Sequence, residues 1–206
     1  MDFILFALIA YLLGSIPTSV WVGKSYYGID VREHGSKNAG ATNTFRVLGK
    51  KPGKIVLVID VLKGATAVLL PYFFLHYTID YQRLIQIQLL TAILAILGHV
   101  FPLFANFKGG KGVATSLGII IGLHPPAAGI CLGVFLIVFI LSKYVSLGAI
   151  ATAISFPLLI IFLFHVDSIW LRGFSILLGS VVVLTHKKNI LRLVKGEESK
   201  MNLFKK

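Results

Sequence analysis

PAAGICLGVFLIVFILSKYVSLGAIATAISFPLLIIFLF, residues 126–164, contains one charged side chain, Lys143. So long an apolar run has no place on a water-soluble surface. Lys143 divides it into two segments near the ~20 residues that a helix needs to cross the hydrocarbon core of a bilayer. Outward from this stretch the pattern repeats: apolar runs cover approximately 3–23, 55–77, 84–101, 112–123, 126–141, 146–164 and 169–185. The fourth run is too short to cross upright, and Pro125-Pro126 marks its end. It reads as a tilted or half helix packed among neighbours, where protein rather than lipid satisfies the backbone. The expectation is an all-α integral membrane protein, one domain over residues 1–206, with about seven transmembrane helices, one of them short, and six as the rival count. With 56% hydrophobic against 14% charged residues, the apolar excess needs lipid as its solvent. The first run reads as a retained helix rather than a signal peptide, because it lacks a basic start and GSIP is a poor cleavage site.

Composition excludes several classes. One cysteine, Cys131, gives no disulfide framework, and no CxxC or paired Cys/His spacing suggests structural zinc. The net charge of +12 comes from lysines and arginines between apolar runs rather than on a soluble face. Anionic headgroups and anionic substrates are therefore the expected partners, not nucleic acid. Segment 24–54 holds Lys24, Arg32, Lys37, Arg46, Lys50, Lys51 and Lys54. The tail after Thr185 holds Lys187, Lys188, Arg192, Lys195, Lys200, Lys205 and Lys206. With Lys108, Lys111 and Lys143 these make 17 of the 20 basic residues, and seven spans place all of them on one side. The positive-inside rule makes that side cytoplasmic, with the N-terminus outside and the C-terminus inside.

Three segments on that side carry chemistry. The loop 28–53, GIDVREHGSKNAGATNTFRVLGKKPG, is long and rich in small hydrogen-bonding residues, among them Ser36 and Asn43, interleaved with Lys37 and Arg46. Such a mixture lets backbone N–H groups and a guanidinium approach a phosphate; a solvated basic loop on anionic lipid is the plainer reading. GHVFPLFANFKGGKGVAT, residues 98–115, sets Gly109, Gly110 and Gly112 around Lys111 at the start of a helix. A glycine-rich turn feeding a helix N-terminus suits an anion, although Ala105 and Gly112 depart from the Walker A pattern. In THKKNILRLVKGEE, residues 185–198, His186 and Asn189 share a helical face, and the plainer reading is an amphipathic tail reaching headgroups. Glu197 and Glu198 are expected to pair with nearby basic residues. Asp60 and Lys63, three apart in the second apolar run, should form an ion pair near the interface, and Ser146 reads as a helix cap.

No histidine has an aspartate five residues on: those positions hold Ala39, Tyr81, Phe104, Gly129, Trp170 and Leu191 after His34, His76, His99, His124, His165 and His186. No GxSxG elbow supplies an activated serine either. An enzyme built this way must rely on positioning and electrostatics. A transporter for an anionic metabolite is the competing class. Its binding groups would sit near the bilayer midplane, which here is apolar apart from Asp60 and Lys63, and no internal repeat is visible.

Taken together, GSIP…GK with GSKNAGATNTFRVLGKKPG, then GHVFPLFANFKGGKGVAT, then HKKNILRLVKGEE, with DVLKG and KYVSLG between them, resemble the bacterial acyl-phosphate:glycerol-3-phosphate acyltransferases, the PlsY family. The resemblance implies transfer of a fatty acyl chain from acyl phosphate to glycerol 3-phosphate in the bacterial inner membrane, without cofactor, metal or acyl-enzyme. It implies that Ser36, Arg46, Lys111 and Ser146 hold phosphates, that Gly109, Gly110 and Gly112 let backbone approach them, and that Asn43 and Lys108 assist. His186 and Asn189 would stand closest to the reacting atoms, and Glu197 would brace their segment. Either His186 or a substrate phosphate would accept the hydroxyl proton.

Overall fold

The structure, a computed structural model, describes residues 2–201; Lys205 and Lys206 of the basic tail lie outside the described residues. Among the described residues all regular structure is helical. The α-helices are α1 (Asp2–Gly14), α2 (Thr18–Tyr27), α3 (Ala41–Val47), α4 (Lys50–Leu75), α5 (Tyr81–Val100), α6 (Val113–Leu123), α7 (Pro125–Ser142), α8 (Val145–Leu158), α9 (Ile169–Thr185) and α10 (Lys187–Val194).

Every expected apolar run forms helix, but the crossings differ in kind. Four helices are long and apolar enough to span a bilayer, Lys50–Leu75, Tyr81–Ala105, Pro125–Ser142 and Val145–Leu163, or up to six if each of two bent pairs is one span. The first bent pair divides the expected helix 3–23 into α1 and α2 with a 42° bend. Pro17 stands at the break, where it has no N–H to continue the ladder. The second pair turns by 60° between α9 and α10, at His186. α6, with 11 residues, is the short helix. Large apolar side chains such as Leu141, Phe162 and Ile169 face outward at 80%, 66% and 71% exposure, as lipid contact requires and water would penalise.

The chain divides into two compact units, Met1–His124 and Pro125–Lys206. In the first, α4 packs along α6 and α5, and α1 along α5. α4 and α6 approach so closely that a methyl group on Gly118 would collide with the Val61 carbonyl, and one on Gly64 with that of Thr115. Small residues let helix backbones meet in this way where hydrophobic driving force between helices is weak. In the second unit α8 packs on α7 and α9. Pro157 precedes a π-turn at Leu159–Leu163, in which the Phe164 N–H donates to the Leu159 carbonyl at 2.9 Å.

Candidate active site

In the first unit, the loop before α3 is tied by the side chains of Asp30, Arg32 and Asn43. Asp30 accepts from the Arg32 backbone N–H and Nε, both at 3.0 Å, and from Nη2 at 2.7 Å. These bonds to Arg32 hold the Asp30 carboxyl well below the usual carboxylate range against the opposing pull of burial, and raise Arg32 above its own. Arg32 Nη1 also donates to the Ala105 carbonyl at 2.9 Å, joining the first loop to the glycine segment. Asn43, 1% exposed, donates from Nδ2 to the carbonyls of Val31 at 2.6 Å and His34 at 3.1 Å. Its Oδ1 accepts from the Ser36 backbone N–H at 2.8 Å and from Ser36 Oγ at 3.0 Å. Both amide hydrogens are thus engaged in shaping the loop. Asn43 positions Ser36 and its neighbours. Arg46 lies half-buried in the last turn of α3.

The glycine segment is held by its own backbone. The N–H groups of Gly109 and Gly110 donate back to the carbonyls of Val100 and His99, both at 3.1 Å. Both amides are thus engaged within the protein. These two glycines are required by packing, since a methyl group on Gly110 would strike His99 Nε2 and one on Gly109 the His99 carbonyl. Gly112, with φ 80°, turns the chain into α6, so Lys111 stands half-buried between two glycines at the mouth of that helix. Lys108 is exposed.

Below this turn lies a buried polar cluster only partly foreseen. Lys63 Nζ lies 2.8 Å from Asp60 Oδ1, the two side chains 4% and 3% exposed. The expected ion pair is thus formed, and it is buried within the protein. Thr18 Oγ1 donates to Asp60 at 3.2 Å, and Lys63 donates to the Ile16 carbonyl at 3.0 Å. His99 Nδ1 lies 3.1 Å from Thr115 Oγ1 and 3.9 Å from Asp60 Oδ1. A small pocket here is lined by Thr18, Asp60, Lys63, His99, Gly109 and Gly110, together with Ala39 of the first loop. Sequence reading passed over His99, whose only local sign is its place between Gly98 and the Pro102 turn.

The second unit holds the third segment. His186, 3% exposed, sits between α9 and α10 with Nδ1 2.7 Å from the Val182 carbonyl. A carbonyl only accepts, so Nδ1 carries a proton in this contact. Asn189 Nδ2 donates to Glu198 Oε1 at 2.7 Å, Ser146 Oγ to the same oxygen at 2.8 Å, and Arg192 Nε to Oε2 at 2.8 Å. Two expectations are corrected here. The brace is Glu198, 7% exposed; Glu197 is exposed, and only its backbone is engaged locally, donating to the Arg192 carbonyl at 2.8 Å. The reason is the left-handed turn at Gly196, φ 71°, which brings the second glutamate and not the first under α10. Ser146 does not cap α8, where Tyr144 holds the cap position; its hydroxyl belongs to the Glu198 network. The Met201 N–H donates to the Lys143 carbonyl at 2.9 Å, so the tail is fastened to the α7–α8 connection at two points.

Burial would raise the Glu198 pKa, but hydrogen bonds from Asn189 and Ser146 and the charge of Arg192 outweigh it, leaving the carboxyl below its ordinary 4.5. A group with a depressed folded pKa stabilises the fold above the unfolded pKa and loses that contribution as pH falls through the folded value. Glu198→Gln should therefore lower the melting temperature near neutral pH, by the equivalent of about 1–3 kcal/mol for charge-assisted bonds lost. The gap from wild type should narrow as pH falls below 4.5, which thermal denaturation across a pH series measures.

The glycerol-3-phosphate acyltransferase family model matches residues 4–196. A glycerol-3-phosphate acyltransferase of Listeria monocytogenes is 48% identical over 201 residues, covering 98% of each chain. One of Fusobacterium nucleatum is 44% identical over 200 residues, covering 97% of this chain and 98% of its own. Among solved structures, PlsY, an integral membrane glycerol 3-phosphate acyltransferase, in its glycerol 3-phosphate form superposes with a TM-score of 0.88 at 35% identity over the full length of both chains. Its lysophosphatidic acid form gives 0.85 at 35% identity, covering 98% of this chain and 96% of that one. A family match that runs through the first two polar segments and into the third as far as Gly196, with relatives this similar end to end, places the chain in the glycerol-3-phosphate acyltransferase family.

Proposed function

We propose that this chain transfers a fatty acyl chain from acyl phosphate to glycerol 3-phosphate, giving 1-acyl-sn-glycerol 3-phosphate and inorganic phosphate for phospholipid synthesis. The full-length match to glycerol-3-phosphate acyltransferases carries the reading. The residues add chemical support. Both substrates bring phosphate anions, and Lys111, Arg46 and the Ser36 hydroxyl lie in segments whose backbone is fixed by Asn43, Arg32 and His99. Acyl phosphate is a mixed anhydride with a good leaving group, so a positioned hydroxyl can attack the acyl carbon directly. The carbonyl oxygen then gathers the negative charge, the C–O bond to phosphate breaks, and phosphate departs with the electron pair. Asn189, fixed by Glu198, and the His186 ring, fixed on Val182, are the groups assigned to orient the hydroxyl and stabilise that oxyanion.

Two acceptors serve for the hydroxyl proton, His186 Nε2 and a substrate phosphate, whose second pKa is about 6. The pH profile of a His186 variant separates them, since only a histidine base takes its limb of the profile with it. The whole chain acts as one acyltransferase domain in a bacterial cytoplasmic membrane, with its N-terminus outside and its polar segments toward the cytoplasm. A reporter fused after residue 206 that proved active only outside would refute that orientation. Purified protein given acyl phosphate and labelled glycerol 3-phosphate should form lysophosphatidic acid, with little or no turnover from acyl-CoA. Turnover from acyl-CoA alone would overturn the donor assignment.

A further inference from the structure

We propose that Asp60, Lys63 and His99 are positioning residues which seat the glycine-lysine turn, and so set the affinity for glycerol 3-phosphate. The proposal rests on the reading above, in which Lys111 holds a substrate phosphate.

A charged pair buried inside an apolar helix is an expensive feature, and well-packed hydrophobic residues commonly stabilise such a position as well or better. Its value here lies in what it orders. Asp60 Oδ1 receives both Thr18 at 3.2 Å and Lys63 at 2.8 Å, and Lys63 reaches the Ile16 carbonyl at 3.0 Å, so the pair fixes the α1–α2 break against α4. The same carboxylate oxygen stands 3.9 Å from His99 Nδ1. His99 in turn holds the residues on both sides of Lys111. Before it, the His99 carbonyl accepts the Gly110 N–H at 3.1 Å, and the ring presses on Gly110 so closely that no β-carbon fits. After it, the ring meets Thr115 Oγ1 at 3.1 Å in the first turn of α6. The pocket between these groups is also lined by Ala39, three residues from Ser36, so the first loop rests on the same support. A fault in the charge pair is passed to His99, and from His99 to the lysine at the apex of the turn.

The role predicts a specific kinetic signature. Thr115→Val removes the hydroxyl that faces His99 while keeping the shape, and should raise the glycerol 3-phosphate KM by about tenfold with kcat within about threefold. Thr115→Ser should return KM to the wild-type value. The double variant Asp60→Asn/Lys63→Gln, which removes both charges together and leaves neither uncompensated, should raise KM in the same way. Gln88→Leu is the control: Gln88 is a buried polar group of the same unit, 11 residues before His99 on α5, donating to the Val68 carbonyl at 2.9 Å. It should lose stability and keep its KM.

Unchanged KM in both Thr115→Val and the double variant, or a fall in kcat alone, would overturn the proposal. So would a rise in KM for Gln88→Leu as large as that for Thr115→Val, because the effect would then report general loosening. If the double variant fails to fold, the Thr115 pair still decides. Wild-type protein that does not acylate glycerol 3-phosphate would instead refute the underlying functional reading, and the proposal with it.

Discussion

His186→Ala is expected to lower kcat by about 10²- to 10⁴-fold, the usual contribution of a positioned acid–base or orienting group. The KM for glycerol 3-phosphate should change little. The imidazole is buried at the bend between α9 and α10, and its Nδ1–H is committed to the Val182 carbonyl 2.7 Å away. The ring cannot rotate without giving up that bond, so Nε2 is held in one direction. Alanine removes the group that would meet the reacting hydroxyl and leaves the cationic segments of the first unit intact. Steady-state kinetics with both substrates varied will test this. A large rise in KM with kcat preserved would mean that His186 binds substrate rather than assisting the reaction, and the roles assigned in the third segment would have to be exchanged.

Lys111→Ala should show the opposite pattern. A hydrogen bond to an ionised partner is worth about 1.5–3 kcal/mol, so loss of the ammonium should raise the glycerol 3-phosphate KM by roughly 10- to 100-fold. The turnover of saturated enzyme should stay near the wild-type value. Lys111 is half-buried between Gly110, which is fixed on His99, and Gly112, which begins α6. Its backbone is therefore placed by the fold. Lys111→Arg should recover only part of the affinity, because a planar fork does not reproduce a point charge in a confined turn. A variant whose kcat collapses with KM unchanged would contradict the assignment.

Much of this was legible in the sequence, because lipid imposes simple rules. Apolar runs such as 126–141 and 146–164 had to be helical once no water was available for their backbones, and their ends fell close to α7 and α8. The three polar segments were also legible, since glycines and cations between apolar helices are conspicuous. What stayed hidden depended on how the chain turns. The bends at Pro17 and His186 interrupt runs that hydropathy reads as continuous or as simply ending. Glu197 and Glu198 are chemically identical neighbours, and only the left-handed Gly196 decides which of them turns under α10. Ser146 fits the local pattern of a cap, but its real partner lies 52 residues away. The amides of Gly109 and Gly110 face His99 and Val100 because of a backbone pairing that composition cannot show.

The most direct test follows the acyl group itself. Purified protein is mixed with acyl phosphate labelled in its chain, with and without glycerol 3-phosphate, then quenched and divided into lipid, free donor and protein fractions. Label should leave the donor only when glycerol 3-phosphate is present and appear in lysophosphatidic acid, one equivalent for each phosphate released, with none on the protein. Label bound to a serine or to Cys131, or donor consumed at the same rate without glycerol 3-phosphate, would contradict direct transfer by this chain.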